Sequence, residues 1–199
     1  MAIKPILFNN EMVRAILDGR KSCTRRLVKH DVESVLNSPY HKVHPEVEDK
    51  QIISKLCNPP YHTDDILYVR ETWSEAYEEG TYIYRADDKL ADLPTFKESS
   101  KLIYHPSIHM PKEAARIWLK ITYVRVERLQ EISAESALAE GADKYIHTNG
   151  GLDENMTITS FIGIWNSTIK KSDIDRYGWD ANPWVWVIEF ERCEKPEGV

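Results

Sequence analysis

The stretch Pro183–Arg192 constrains this chain more than any other. Trp184, Trp186, Ile188 and Phe190 fall on one parity and Val185 and Val187 on the other, so a strand here is apolar on both faces and has to be buried on both. Burying such a strand takes a real core, and 199 residues supply one without disulfides or metal staples. Cys23, Cys57 and Cys193 are odd in number, scattered and never in a C-x-x-C pair, so they read as reduced thiols.

The rest of the pattern is mixed. Ile3, Ile6, Leu7 and Phe8 surround Lys4 and Pro5, which fits an edge strand because proline cannot donate to a ladder. Asn9 or Asn10 can cap a helix over Glu11–Asp18, whose Met12/Ile16 and Val13/Leu17 pairs make an apolar face and which Gly19 stops. Ile66–Trp73 alternates as a strand, Thr81–Arg85 is a second short one, and Ala115–Leu129 is the longest β pattern, with a change of phase that predicts a bulge near Thr122-Tyr123. Ser133 caps a helix through Ala139 that Gly141 ends. A polar loop at 143–156 then leads to a helix around Thr159–Ile169. Prolines interrupt 27–62 and 86–114, which read as insertions into a single domain spanning 1–199. With no βαβ alternation and no glycine-rich dinucleotide loop, the expected fold is α+β, a small, partly open mixed barrel with short helices at its sides.

Charge narrows the partners. The net charge of −6 does not advertise bulk attraction to a nucleic-acid backbone or an anionic membrane. Its distribution is uneven: residues 1–30 hold seven basic side chains against two acidic ones, a local +5 on a remainder of −11. No apolar run approaches the ~18 residues of a membrane span, and no secretory pattern opens the chain, so a cytoplasmic location without membrane contact is expected.

The densest polar cluster is Gly19-Arg20-Lys21-Ser22-Cys23-Thr24-Arg25-Arg26. In a helical or tight turn Lys21 and Thr24, three apart, would project to the same side. Two readings stand. Thr24 could be a nucleophile whose proton Lys21 accepts, if burial or the neighbouring Arg25 and Arg26 lower the lysine pKa. Alternatively the segment is a solvated basic turn in which Thr24 caps backbone.

The same residues resemble the G-x-K-x-x-T-x-R signature of ASCH domains, here Gly19, Lys21, Thr24 and Arg26. Asp64 to Trp73 looks like the family's G-D-x-x-x-V-x-E-x-W strand, with Asp64 in place of the usual glycine, and Asn182–Phe190 is similar to the closing strand of phage- and prophage-encoded members. The resemblance implies a PUA-like β-barrel related to modules that hold RNA, a nucleoside or a single modified base. One small branch of the family deacetylates N4-acetylcytidine with a lysine, a threonine and a glutamate, which by motif position are Lys21, Thr24 and Glu71. Thr24 would then attack the amide, Lys21 would serve as base and later acid, and Glu71 would orient Lys21 or the ligand. Arg25, Arg26, Arg70 and Trp73 would contact substrate. The alternatives are a noncatalytic RNA or modified-base binding module, and an accessory phage protein working through protein contacts.

Each of these residues also has a structural reading. Glu71 could pair with Arg25 or Arg26 and close the barrel, and Trp73 could be core instead of a stacking platform. Cys23 could be a reactive thiol beside Lys21 and Arg25, or could enter the core. His41/His44 and His105/His109 have spacings that metals use, but Pro106 opposes a helix through the second pair, and neither metal nor other cofactor is expected.

Overall fold

The computed structural model describes residues 1–76, 80–87 and 103–198. Along the chain come β1 (Ile3–Leu7), α1 (Asn10–Leu17), β2 (Cys23–Leu27), α2 (Val32–Leu36), α3 (Pro39–Val43), α4 (Asp49–Leu56), β3 (Ile66–Arg70), β4 (Trp73–Glu75) and β5 (Tyr82–Tyr84). After these follow β6 (Trp118–Arg128), α5 (Ala134–Ala139), α6 (Glu154–Thr168), α7 (Ile174–Tyr177) and β7 (Trp184–Cys193). The architecture is α+β. Among the described residues no helix is long and apolar enough to cross a membrane. The chain divides into two compact units, one of Met1–Arg20, Asp64–Ile121 and Glu191–Val199 and one of Lys21–Thr63 and Thr122–Phe190.

The first unit carries the strand order β1-β3-β6. β1 runs parallel to β3 from Ile3↔Ile66 to Leu7↔Arg70, and β3 runs antiparallel to β6 from Ile66↔Lys120 to Tyr68↔Trp118, so the sheet is mixed. Pro5 lies on the end strand of that order, where its missing N–H costs no ladder bond. α1 forms as its sequence demands: Asn9 Oδ1 accepts from the Met12 N–H at 2.9 Å, Val13, Ala15 and Ile16 are buried, and Gly19 leaves the helix at φ +73°. The single strand expected over Ile66–Trp73 is two, because β3 stops at Arg70 and β4 starts at Trp73, pairing with β5 through Trp73↔Tyr84. Ile66, Tyr68, Trp73, Met110 and Trp118 pack together with Tyr82 and Tyr84 against them. The expected insertion at 86–114 falls partly outside the described residues, at 88–102.

In the second unit the order is β6-β7-β2. β2 is antiparallel to β7, from Cys23↔Glu189 to Leu27↔Val185. Every residue of β7 from Trp184 to Ile188, and Phe190, is buried, as its two-faced apolar pattern requires. Cys23, Val185 and Val187 pack with Leu129, Ile132, Ala137, Phe161 and Trp165, which brings α5 and α6 onto this face. Ser133 caps α5 by accepting from the Ser136 N–H. α6 begins at Glu154, earlier than expected, because Asp153 caps it by accepting from the Met156 N–H at 3.0 Å. The proline-broken segment 27–62 folds as α2, α3 and α4, capped in the first two by Asp31 and Ser38 and anchored by the buried Ile52 and Ile53 of the third.

Strand β6 passes from one unit to the other. The passage falls at Ile121/Thr122, where the apolar pattern changes phase and Thr122 and Tyr123 are both exposed.

Candidate functional site

Lys21 to Arg26 is not a turn. Ser22 N–H donates to the Ala139 carbonyl and the Ser22 carbonyl accepts from Phe190 N–H, both at 2.9 Å, and from Cys23 the chain is the strand β2. The apolar β7 recruits these residues as its ladder partner, which overrides the local polar composition. Lys21, Thr24 and Arg25 are 3%, 1% and 3% exposed, so the solvated basic turn is ruled out. Strand alternation sends Cys23, Arg25 and Leu27 toward α5 and α6 and Thr24 and Arg26 to the opposite face. The shared side that a turn would give Lys21 and Thr24 is therefore lost.

What gathers around Lys21 is an acidic residue that the pattern did not single out. Lys21 Nζ donates to Glu140 Oε2 at 2.8 Å, to the Glu140 carbonyl at 2.8 Å and to the Cys23 carbonyl at 2.7 Å. Arg25 reaches the other oxygen of the same carboxylate at 3.2 Å, and also Glu127 at 3.2 Å and Ser136 Oγ at 3.0 Å. Its guanidinium lies 5.8 Å from the centre of the Phe161 ring. Glu140 is the C-cap of α5, the negative end of the helix dipole, where a buried carboxylate needs compensating cations. The chain of pairs goes on through Glu127–Arg125 at 2.5 Å to Arg125–Glu189. Cations and anions alternate along it, so their charges cancel.

Burial pushes the Lys21 ammonium below the usual lysine range, while the Glu140 carboxylate pulls the other way. The neighbouring Cys23 thiol is pushed up to about 12, first by burial and then by Glu140. It is thus a protonated core residue at neutral pH and not the reactive thiol considered above.

Glu71 lies in the first unit, and its partner is neither Arg25 nor Arg26. Arg116 grips it with both arms, Nε to Oε1 at 2.8 Å and Nη2 to Oε2 at 2.9 Å, and gives its remaining nitrogen to Asp87 at 2.7 Å. Arg25 is committed to Glu140 and Glu127. The Arg116 guanidinium sits 3.9 Å from the centre of the Tyr84 ring, and the Glu71 N–H points at Met110 Sδ, 3.2 Å away. Burial raises the Glu71 carboxyl above its usual range against the pull of Arg116. For Arg116, burial works against the charge, but the hydrogen bonds to Glu71 and Asp87 outweigh it and raise the pKa.

Of the other expected contact residues, Arg26 is half-buried on β2 and donates to the Arg25 carbonyl at 3.3 Å. Arg70 donates to the Ile108 carbonyl at 3.3 Å and stands 5.6 Å from the Tyr68 ring centre. Trp73 is 6% exposed among Tyr82 and His105, with ring centres 5.6 and 5.2 Å away. Its indole N–H has no hydrogen-bond partner among the described residues. No group of three or more His, Cys, Asp or Glu side chains among those residues is placed to hold a metal ion.

Glu140, Glu127 and Arg116 were invisible to motif reading. Glu140 left one usable sign: an acidic residue immediately before the helix-stopping Gly141 stands where the dipole disfavours it. Arg116 left none, since nothing local connects Ala-Ala-Arg-Ile-Trp to a carboxylate 45 residues earlier.

No family model matches the sequence, and neither does any curated protein. Among solved structures the chain is similar to the crystal structure of an ASCH domain from Lactobacillus crispatus JV V101, with a TM-score of 0.43 at 10% sequence identity, over 96% of this chain and 79% of that one.

Proposed function

We propose that this chain recognises a nucleoside or modified base, free or within RNA, at the second-unit site marked by Lys21 and Thr24. The reading starts from the likeness of Gly19–Arg26 to the ASCH signature. The pairing of that segment with β7 is compatible with the PUA-like arrangement the likeness implies, because two of the resembling blocks are ladder neighbours. The observation that carries the reading is that Lys21 and Arg25 are buried and already ion-paired within a charge-balanced network. Cations held this way make a poor phosphate-backbone track, which depends on counterion release from exposed basic groups, so an uncharged ligand suits this site better than a bare nucleic-acid backbone.

Lowering of the Lys21 pKa by burial supports a second, narrower reading, hydrolysis of an N-acylated base. For Thr24 to lose its proton to Lys21, the lysine would first have to leave Glu140 and the Cys23 carbonyl and come round to the Thr24 face of β2; the Thr24 oxygen would then bond to the amide carbon, the C–N bond would break as Lys21 returns the proton to the departing amine, and water would release the acyl group from Thr24. Titration calorimetry with N4-acetylcytidine and cytidine, alone and within a short RNA, tests the first reading, and chromatographic detection of deacetylation tests the second. Saturable nucleoside binding that changes little between low and moderate salt is expected. Absence of binding by any of these ligands at millimolar concentration overturns the first reading and favours an accessory role through protein contacts. Deacetylation that survives in both Lys21→Ala and Thr24→Ala overturns the second.

A further inference from the structure

Resting on the nucleoside reading, we infer that Glu140 is the positioning carboxylate of Lys21, aiming its ammonium and setting its charge state, in the role that motif position would give to Glu71. Two contacts of one residue define the geometry. Both the Glu140 side chain and its backbone carbonyl accept from Lys21 Nζ at 2.8 Å, and the Cys23 carbonyl takes a further hydrogen at 2.7 Å. An ammonium held at these points has one orientation, so the four-carbon stem no longer wanders. The helix α5 makes the anchor rigid: Glu140 N–H caps it by donating back to Ser136 and Ala137 carbonyls, and Ala137 is fully buried.

The charges that bear on Lys21 come from each packed element. From α5 there is Glu140; from β2, Arg25, Arg26 and the Cys23 thiol; through Arg25 and then Arg125, Glu127 on β6 and Glu189 on β7. Of these acidic groups, Glu140 pairs with the ammonium directly, at 2.8 Å. The cation and the carboxylate therefore form a proton-holding unit, with Arg25 fixing the far carboxylate oxygen. Glu71, by contrast, has both oxygens in the fork of Arg116.

Lysine-selective NMR of the intact protein, with the Lys21 signal assigned by Lys21→Arg, tests this without any ligand. In Glu140→Gln the Lys21 titration is expected to move down by about one pH unit or more, a tenfold change in proton affinity. Glu71→Gln and Glu127→Gln are expected to leave it in place. An unmoved titration in Glu140→Gln, or an equal shift in Glu71→Gln, overturns the assignment. Should Glu140→Gln fail to fold, the unaltered protein still decides: a scalar coupling across the hydrogen bond from Lys21 15Nζ to the Glu140 carboxylate is expected, and a coupling to another carboxylate overturns it. Where a nucleoside binds, the pH midpoint of its affinity should fall in Glu140→Gln with the Lys21 titration, a movement that a purely structural pair would not cause. Failure of all nucleosides to bind defeats the proposed function, and the Lys21 titration still settles the pairing.

Discussion

Two buried carboxylates, one in each unit, are neutralised in opposite ways. Glu71 is gripped at both oxygens by a single arginine that also stacks on Tyr84. Glu140 is shared between a lysine and an arginine projecting from one stretch of chain, and stands at one end of a run of alternating charges. The difference lies in what the cation can do. A guanidinium matches a carboxylate bidentately and keeps its proton at any pH the fold survives, so Glu71–Arg116 is a clamp. An ammonium whose pKa is lowered by burial loses its proton more readily than a guanidinium, so Lys21–Glu140 is the more titratable clamp. Of the two carboxylates, the one at the motif position has the partner less suited to proton transfer.

This contrast can be broken by mutation. Arg116→Met strands a fully buried carboxylate and should cost about 3–5 kcal/mol, read by urea unfolding. Lys21→Met leaves Glu140 in the hands of Arg25, so its cost should be smaller, about 1–3 kcal/mol; equal losses in the two variants would erase the distinction. A pH series sharpens it. The Lys21 pKa in the folded state lies below its unfolded value of ~10.4, so between the two the unfolded chain binds more protons and stability rises with pH. Subtracting the Lys21→Met curve from the wild-type curve should therefore give a difference that climbs with rising pH toward the unfolded lysine value. The smallest effect belongs to the open end of the network. Arg125 and Glu189 are 28% and 41% exposed at their side chains, so Arg125→Ala should cost less than about 1 kcal/mol.

Strand and helix positions were legible where period and punctuation agree. β7 announced itself through five consecutive apolar residues, Trp184 to Ile188, and α1 and α5 through Asn9, Gly19, Ser133 and Gly141. The basic segment misled because its polarity is local and its fate is not: Cys23–Leu27 becomes a strand since β7 offers an apolar ladder partner 158 to 166 residues away. The start of α6 was set too late because Asp153, not the apolar stripe, determines where it begins. At the candidate site the cations were visible and their counter-ions were not. Lys21, Arg25 and Arg26 stand out as a run, whereas Glu140, Glu127 and Arg116 are single charges in ordinary surroundings whose meaning arises only on packing.

Neither unit is a continuous stretch of chain, and β7 supplies residues to both. A ribosome emits residues in order, so the second unit waits for Val185 and Val187 to fill its core, and the first for Cys193 to pack against its own. Until then the apolar faces they cover stay open. Neither core is complete until β7 has been made, so a chain halted before residue 184 would be exposed to chaperones and proteases in both units.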